Sequence, residues 1–356
     1  MRERKLVIDT LPDPTPGAGQ VLVKTLACGI CGSDLHMLEH ADRMIAMGAR
    51  SGQSGAGMDL SRDLVMGHEF CAEILDFGPD TARSLAPGTR VCSMPIAFGP
   101  RGFGAVGYSN EYPGGYGERM VLNEMLLLPV PNGLDTDRAA LTEPMAVGLH
   151  AVAKACLAGG EVPIVIGCGP VGLAVVACLR LAGAGPIIAA DFSPVRRKLA
   201  EHLGADVVVD PAESTPYASW ERIAVPEGVD LQNPLAAMLA KDRIRPCVVF
   251  ECVGVPGLIQ QIFQGAPRDA RVVVAGVCME SDRIEPFLGI QKELSVQFAL
   301  GYSPEEFAAT LQHIACGRLD VDPLITGKIG VDGVPGAFEE LRRPERHAKI
   351  LVEPWR

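Results

Sequence analysis

Nine residues, Cys28-Gly-Ile-Cys31-Gly-Ser33-Asp34-Leu-His36, gather two thiols, a hydroxyl, a carboxylate and an imidazole directly after an alternating, strand-like run. Thiolate, imidazole and carboxylate are the ligands of zinc, and a catalytic zinc takes about three of them with one position left open. Such ligands are commonly spread along a chain. The candidates here are Cys31, His68 and Glu69 of Gly-His-Glu, and Glu143 of Leu-Thr-Glu-Pro. Taken alone, the stretch also reads as a redox pair or a buried turn. A single C-x-x-C without a second pair makes no structural zinc site, and no thioredoxin-like βαβ unit surrounds it. Cys28 therefore reads as a core thiol closing its strand.

A second chemistry lies at 162–191. The apolar run Val-Pro-Ile-Val-Ile predicts a buried strand, followed at once by Gly167-Cys-Gly169-Pro170-Val171-Gly172 and an apolar helical pattern. Another apolar strand, 186–190, ends on Asp191. In a dinucleotide site the first glycine permits a tight turn and the second lets backbone approach the pyrophosphate. The third lets helix pack on strand, and the helix N-terminus faces the phosphates. A bare G-x-G-x-x-G is weak evidence; strand, glycines, helix, second strand and terminal acid in order are much stronger. Asp191 can accept from both ribose hydroxyls of NAD and repels the extra phosphate of NADP. Arg196 and Arg197 lie close enough to suggest NADP. Ser193-Pro194, however, reads as an N-cap with Pro at N1, placing both arginines in the next helix's first turns as solvated residues. NAD is the expected cofactor, with Arg196 kept among the residues that could contact it.

The elements that must position these residues divide into two kinds. Alternating strands at 20–27 and 70–77, separated by dense Gly/Pro turns, predict a mostly-β domain over roughly the first 145 residues. The second half predicts a doubly wound parallel sheet, with further buried strands at 205–209, 246–252 and 271–276 and helical patterns between. The segment 211–245 is longer than a crossover requires. Residues 304–317 read as a helix, and the tail ending in Lys349-Ile-Leu-Val reads as a strand that rejoins the first domain. The domain expectation is 1–148 with 301–356 for the first and 149–300 for the second. Residues 41–65, with Gly48, Gly52, Gly55 and Gly57, predict a long mobile surface loop. Residues 94–118, rich in glycine and in aromatics such as Tyr108 and Tyr116, predict an ordered one.

At 356 residues the chain suits two domains. With 48% apolar and 21% charged residues its composition is globular. A net charge of -11 argues against nucleic acid or an anionic lipid surface as a main partner. No apolar run reaches transmembrane length, and the charged start with its few apolar residues is too short for a signal peptide. Eleven cysteines, an odd number with several inside apolar runs, suit reduced buried thiols in a cytoplasmic protein.

Four segments together, Cys-Gly-Ile-Cys-Gly-Ser-Asp-Leu-His (28–36), Gly-His-Glu (67–69), Glu-Pro-Met-Ala-Val-Gly-Leu-His (143–150) and Gly-Cys-Gly-Pro-Val-Gly (167–172), resemble the zinc-dependent medium-chain dehydrogenase/reductase family of alcohol, sorbitol and threonine dehydrogenases. The resemblance implies an α/β plus mostly-β fold: a Rossmann doubly wound parallel-sheet domain and a discontinuous GroES-like catalytic domain. It implies that Cys31 and His68 are zinc ligands. Glu69 matches an acid that binds zinc directly in some members, and Glu143 one that polyol dehydrogenases place near the metal. Asp34 matches the carboxylate orienting the ligand imidazole. Ser33 matches the hydroxyl that takes the alcohol's proton, and His36 the imidazole that relays it. The implied reaction moves a hydride between a small-molecule alcohol and NAD, reversibly to the ketone or aldehyde. Members are usually homodimers or homotetramers paired through a Rossmann edge strand, here 295–300.

One departure bears on the substrate. Many members carry a second, structural zinc on four closely spaced cysteines, whereas residues 88–120 here hold only Cys92. Sorbitol dehydrogenases share that lack and the Glu-Pro pair, which points to a secondary or polyol alcohol. The competing readings are a zinc-free quinone or enoyl reductase, disfavoured by Cys31 and His68, and a non-catalytic nucleotide-binding protein, disfavoured by intact Ser33, Asp34 and His36.

Overall fold

The computed structural model describes residues 1–50, 58–99, 102–231, 233–343 and 345–356. They fall into two compact units, Met1–Pro144 with Ser303–Arg356, and Met145–Tyr302. Among the described residues no helix is long and apolar enough to cross a membrane.

The first unit opens with β1 (Gln20–Gly29), where Val21 and Val23 point inward at period two and the intervening residues are partly exposed. Helix α1 (Gly32–Arg50) follows, bent at His40. Then come β2 (Glu69–Phe77), β3 (Arg90–Ser93), the hairpin β4 (Ile96–Gly99) and β5 (Gly102–Ala105), β6 (Arg119–Asn123) and β7 (Leu127–Pro129). Helix α2 (Thr136–Ala140) closes the first stretch of chain, and α3 (Thr142–Lys154) begins at its end and runs on into the second unit.

The second unit alternates strand and helix: β8 (Val162–Ile166), α4 (Pro170–Leu181), β9 (Ile188–Ala190), α5 (Pro194–His202), β10 (Val207–Val209), α6 (Pro216–Ala224) and α7 (Pro234–Ala240). It continues through β11 (Cys247–Glu251), α8 (Leu258–Gly265), β12 (Arg271–Val274), α9 (Pro286–Lys292) and β13 (Ser295–Phe298). The chain returns to the first unit as α10 (Pro304–Ala315), β14 (Ile325–Ile329), α11 (Val334–Leu341) and β15 (Lys349–Val352).

In the first unit the sheet runs β14-β15-β1-β2-β3-β7, with β6 also paired to β1. The C-terminal strand β15 lies antiparallel to β1, Cys28 opposite Val352, so the tail does rejoin the first sheet. In the second unit the order β10-β9-β8-β11-β12-β13 is parallel throughout. Numbered within the unit this is 3-2-1-4-5-6, the dinucleotide-binding order, with its reversal beside β8. Each unit has its own core: Val21, Phe70, Ile74, Met120 and Phe338 among others in the first, and Ile164, Val249, Ile262 and Val272 in the second.

Two segments depart from expectation. Residues 41–50 are not loop but the second half of α1. Arg43-Met-Ile-Ala-Met are good helix formers, and Met44 packs against the first core, which outweighs Gly48. The other three glycines of the expected mobile loop, Gly52, Gly55 and Gly57, lie outside the described residues. The segment 211–245 carries α6 and α7, and Trp220 of α6 is buried in the second core.

Candidate metal and dinucleotide sites

One antiparallel pairing brings the candidate ligands together. In the β1/β2 register Gly29 faces Glu69 and Cys28 faces Phe70. Cys31 leaves β1 two residues later, and His68 enters β2 one residue earlier. Thirty-six residues of intervening chain are thus closed by a strand pair. A Cβ at Gly29 would stand 2.1 Å from Glu69 Oε2, so the glycine of Cys-Gly-Ile-Cys is where the carboxylate sits.

Among the described residues, Cys31, His68 and Glu69 form the one group of His, Cys, Asp or Glu side chains whose ligating atoms all lie within 4.8 Å of one another. His68 and Glu69 are buried and Cys31 is partly so. Glu143, buried at the start of α3, is not brought into this set, although its charge registers at Lys349.

The start of α1 is built around Asp34, which is fully buried. Its Oδ2 accepts from Cys31 N at 2.9 Å, fixing the ligand's backbone, and from Tyr116 Oη at 2.7 Å. Its Oδ1 accepts from Tyr108 Oη at 3.0 Å and lies 3.4 Å from His68 Nδ1, long for a hydrogen bond. Burial alone would raise the Asp34 pKa; His68, Tyr116 and the Cys31 amide outweigh it and hold the carboxyl below its ordinary value. For His68 burial favours the neutral ring, but Asp34 and Cys31 raise its pKa well above the usual 6.5.

Sequence reading missed three residues. Lys349 opens β15, is 2% exposed, and donates to both carboxylate oxygens of Glu69 at 2.7 Å and to Ile30 O at 3.1 Å. Burial works to lower its pKa, yet Glu69, Cys31 and Glu143 raise it above the ordinary value. Tyr108 and Tyr116 are the other two. A lysine heading an otherwise apolar strand was the available signal for Lys349. The aromatics of 94–118 were visible in the sequence; the partners of their hydroxyls were not.

Cys28 is fully buried with its Sγ close against Gly67 and Gly115, and burial pushes its thiol pKa up, as a packing role requires. Ser33 sits in the first turn of α1, its Oγ 2.8 Å from Tyr108 Oη. His36 is half-buried one turn further on, stacked 6.3 Å from His40. Among the described residues no hydrogen bond joins Ser33 to His36.

In the second unit Gly167 has φ +89°, a conformation that favours glycine. A Cβ on Gly172 would stand 1.8 Å from Gly167 O, so turn and helix touch there. Gly169 caps α4 with Pro170 at N1, and an added Cβ would find only Arg196 Nη1, at 3.9 Å, leaving the helix N-terminus open. Gly169, Pro170 and Val171 are partly exposed around that end. Asp191 is fixed by accepting from Cys168 N at 2.7 Å and Ser193 N at 2.8 Å. Each carboxylate oxygen retains a further lone pair.

The two arginines are not the solvated pair the sequence suggests. Arg197 donates to the carbonyls of Asp191 and Phe192 and pairs with Asp210 at 2.9 Å. Arg196 turns toward the glycine loop, and its Nε is buried without a hydrogen-bond partner.

With that geometry in place, two family models match the chain: an alcohol dehydrogenase GroES-like domain over residues 17–132 and a zinc-binding dehydrogenase over 170–315. The (R,R)-butanediol dehydrogenase of Bacillus subtilis (strain 168) is 31% identical over 99% of this chain and 97% of its own length. The crystal structure of 2R,3R-butanediol dehydrogenase from Bacillus subtilis aligns with TM-score 0.77 at 30% identity, covering 99% of this chain and 97% of that one. A structure assigned to a zinc-binding dehydrogenase of Sinorhizobium meliloti 1021, bound to NADP, aligns with TM-score 0.74 at 29% identity over 97% and 94% of the two chains.

Proposed function

Because the chain belongs to the zinc-type medium-chain dehydrogenase/reductase family, we propose that it oxidises a secondary alcohol or polyol reversibly with NAD, using one zinc per chain on Cys31, His68 and Glu69. The observation that carries this reading is the set of a partly buried thiol with a buried imidazole and carboxylate, all within 4.8 Å. The set suits zinc, which takes S, N and O donors and in catalytic sites leaves a position open.

When bound, zinc supplies a Lewis acid that acidifies an alcohol, and NAD supplies the hydride acceptor. The chain's own groups do the rest. Asp34 stands behind His68 Nδ1, which would leave Nε2 as the ring nitrogen to hold the zinc. Lys349 compensates the charge of Glu69, which would otherwise be stranded in the core. Ser33 would accept a hydrogen bond from the alcohol's hydroxyl, and water would bridge the released proton to His36, because among the described residues no hydrogen bond joins the two side chains. His36, whose pKa burial and His40 lower against the pull of Glu39, is neutral near pH 7 and able to carry a proton onward. Glu143 adds negative charge near Lys349 and stands outside the donor set.

NAD is favoured over NADP by Asp191 at the end of β9 and by Arg197, which is committed to Asp210 and two carbonyls and so is not available to a ribose phosphate. Arg196 reaches the loop that would carry the pyrophosphate. The substrate class follows the butanediol dehydrogenase likeness and the lone Cys92 in 88–120.

The test is reduction of NAD and NADP by purified, zinc-loaded protein over a panel of primary, secondary, vicinal-diol and polyol alcohols. Zinc-dependent turnover that prefers secondary alcohols and NAD supports the reading. Turnover confined to NADP defeats the cofactor assignment, and turnover indifferent to zinc defeats the mechanism.

A further inference from the structure

The segment that lacks the cysteine quartet is not idle. Tyr108 sits just after the β4/β5 hairpin, a segment braced by Tyr112 Oη on Gly102 O, Gln20 Nε2 on Phe98 O and Asn123 Nδ2 on Phe98 O. Its ring lies 5.0 Å from the His68 ring, tilted 40°. Its hydroxyl reaches two oxygens, Ser33 Oγ at 2.8 Å and Asp34 Oδ1 at 3.0 Å.

A phenol has one hydrogen to give and lone pairs to accept with. Asp34 already receives hydrogens at Oδ2 from Cys31 N and Tyr116 Oη, the pattern of a carboxylate acting as acceptor. Hydrogen bonds to an ionised acceptor are roughly twice as strong as neutral ones, so the Tyr108 hydrogen goes to Asp34. The short contact between Tyr108 Oη and Ser33 Oγ then needs its hydrogen from Ser33. With that hydrogen turned toward Tyr108, the lone pairs of Ser33 Oγ are left to receive a substrate hydroxyl.

We infer that Tyr108 is a positioning residue for Ser33, holding its hydroxyl as acceptor toward the substrate alcohol through the chain Ser33–Tyr108–Asp34. The inference rests on the alcohol-oxidation reading. It assigns to the aromatic segment 94–118 a role in the reaction that motif reading does not supply. A tyrosine that merely packs on His68 needs only its ring, and the two roles separate on the hydroxyl.

The experiment compares wild type, Tyr108→Phe, Ser33→Ala and the double variant as zinc-loaded enzymes on one secondary alcohol. For Tyr108→Phe the expected result is unchanged zinc content and melting temperature, kcat lower by about tenfold with KM nearly unchanged, and a larger solvent deuterium isotope effect on kcat. The double variant should be no slower than Ser33→Ala, because Tyr108 acts through Ser33. A wild-type kcat in Tyr108→Phe, or losses that multiply in the double variant, overturns the inference. So does loss of zinc or failure to fold in Tyr108→Phe, which would give the hydroxyl to the metal shell or the core instead. Wild-type protein inactive on every alcohol sinks the functional reading and this inference with it. An active wild type with an unaffected Tyr108→Phe sinks the inference alone.

Discussion

His36 shows how a single side chain carries a pH prediction. Its pKa is lowered chiefly by burial and by the neighbouring His40. The folded protein therefore resists protonating it, while the unfolded chain takes the proton near the ordinary value of 6.5. Acidification through that region favours the unfolded side, so stability from this group falls as pH drops. In the proposed relay only the neutral ring can accept a proton, so alcohol oxidation should decline further down, where the folded ring titrates below its ordinary value. His36→Gln should lower kcat for oxidation by about tenfold or more and flatten the acid limb of its pH profile. An unchanged acid limb would remove His36 from the relay. At this scale the sequence was informative about residue types and much less so about partners. Cys31, His68 and Glu69 were readable as a donor set, yet nothing in the 280 residues between Glu69 and Lys349 announces that they touch. Ser33 was readable as a hydroxyl near the metal, and its link to Tyr108 across 75 residues was not.

Among the elements, the β1/β2 pair and the returning strand β15 do the positioning. β1 and β2 place the candidate donor set, and β15 delivers Lys349 between Glu69 and Ile30 O. Removing one member of a buried ion pair strands the other charge, at a cost of about 3–5 kcal/mol. Lys349→Met should therefore lower unfolding free energy by about that amount in denaturant titration of the metal-free protein. A loss below about 1 kcal/mol would mean that Glu69 is not left uncompensated. Periodicity finds β1, β2, β15 and the strands of the second unit, because alternation and short apolar runs are local signals, and it misses β3 to β7 and β14, which are short. It fails at 41–50, where glycine spacing suggests loop although Met44 packs on the core and the chain continues α1. It also left the hydroxyl bonding of 94–118 unseen, since those contacts depend on the β4/β5 hairpin and its bracing from Gln20 and Asn123.

For the whole molecule, the second unit ends in an edge strand whose side chains are all exposed. Val296, Phe298 and Leu300 sit along it with Phe287 and Ile290 of α9, an apolar surface a lone chain would leave to water. We propose that two copies pair through β13, and Phe298→Lys should convert the assembly to monomer in sedimentation equilibrium; a wild-type monomer would refute the pairing. The doubly wound sheet and the presence of two chemistries are legible from motifs alone, because the glycine fingerprint and the candidate ligand motifs are local in sequence. The substrate was not legible, since selectivity depends on side chains spread over segments that carry no motif. The claim on which the rest depends is the metal centre. Metal analysis of purified wild type, Cys31→Ser and Cys28→Ser, with turnover of a secondary alcohol before and after chelation, tests it most directly. The account predicts one zinc per chain and zinc-restorable turnover in wild type and Cys28→Ser, with both lost in Cys31→Ser. Full zinc and activity in Cys31→Ser, or turnover indifferent to chelation, would contradict it.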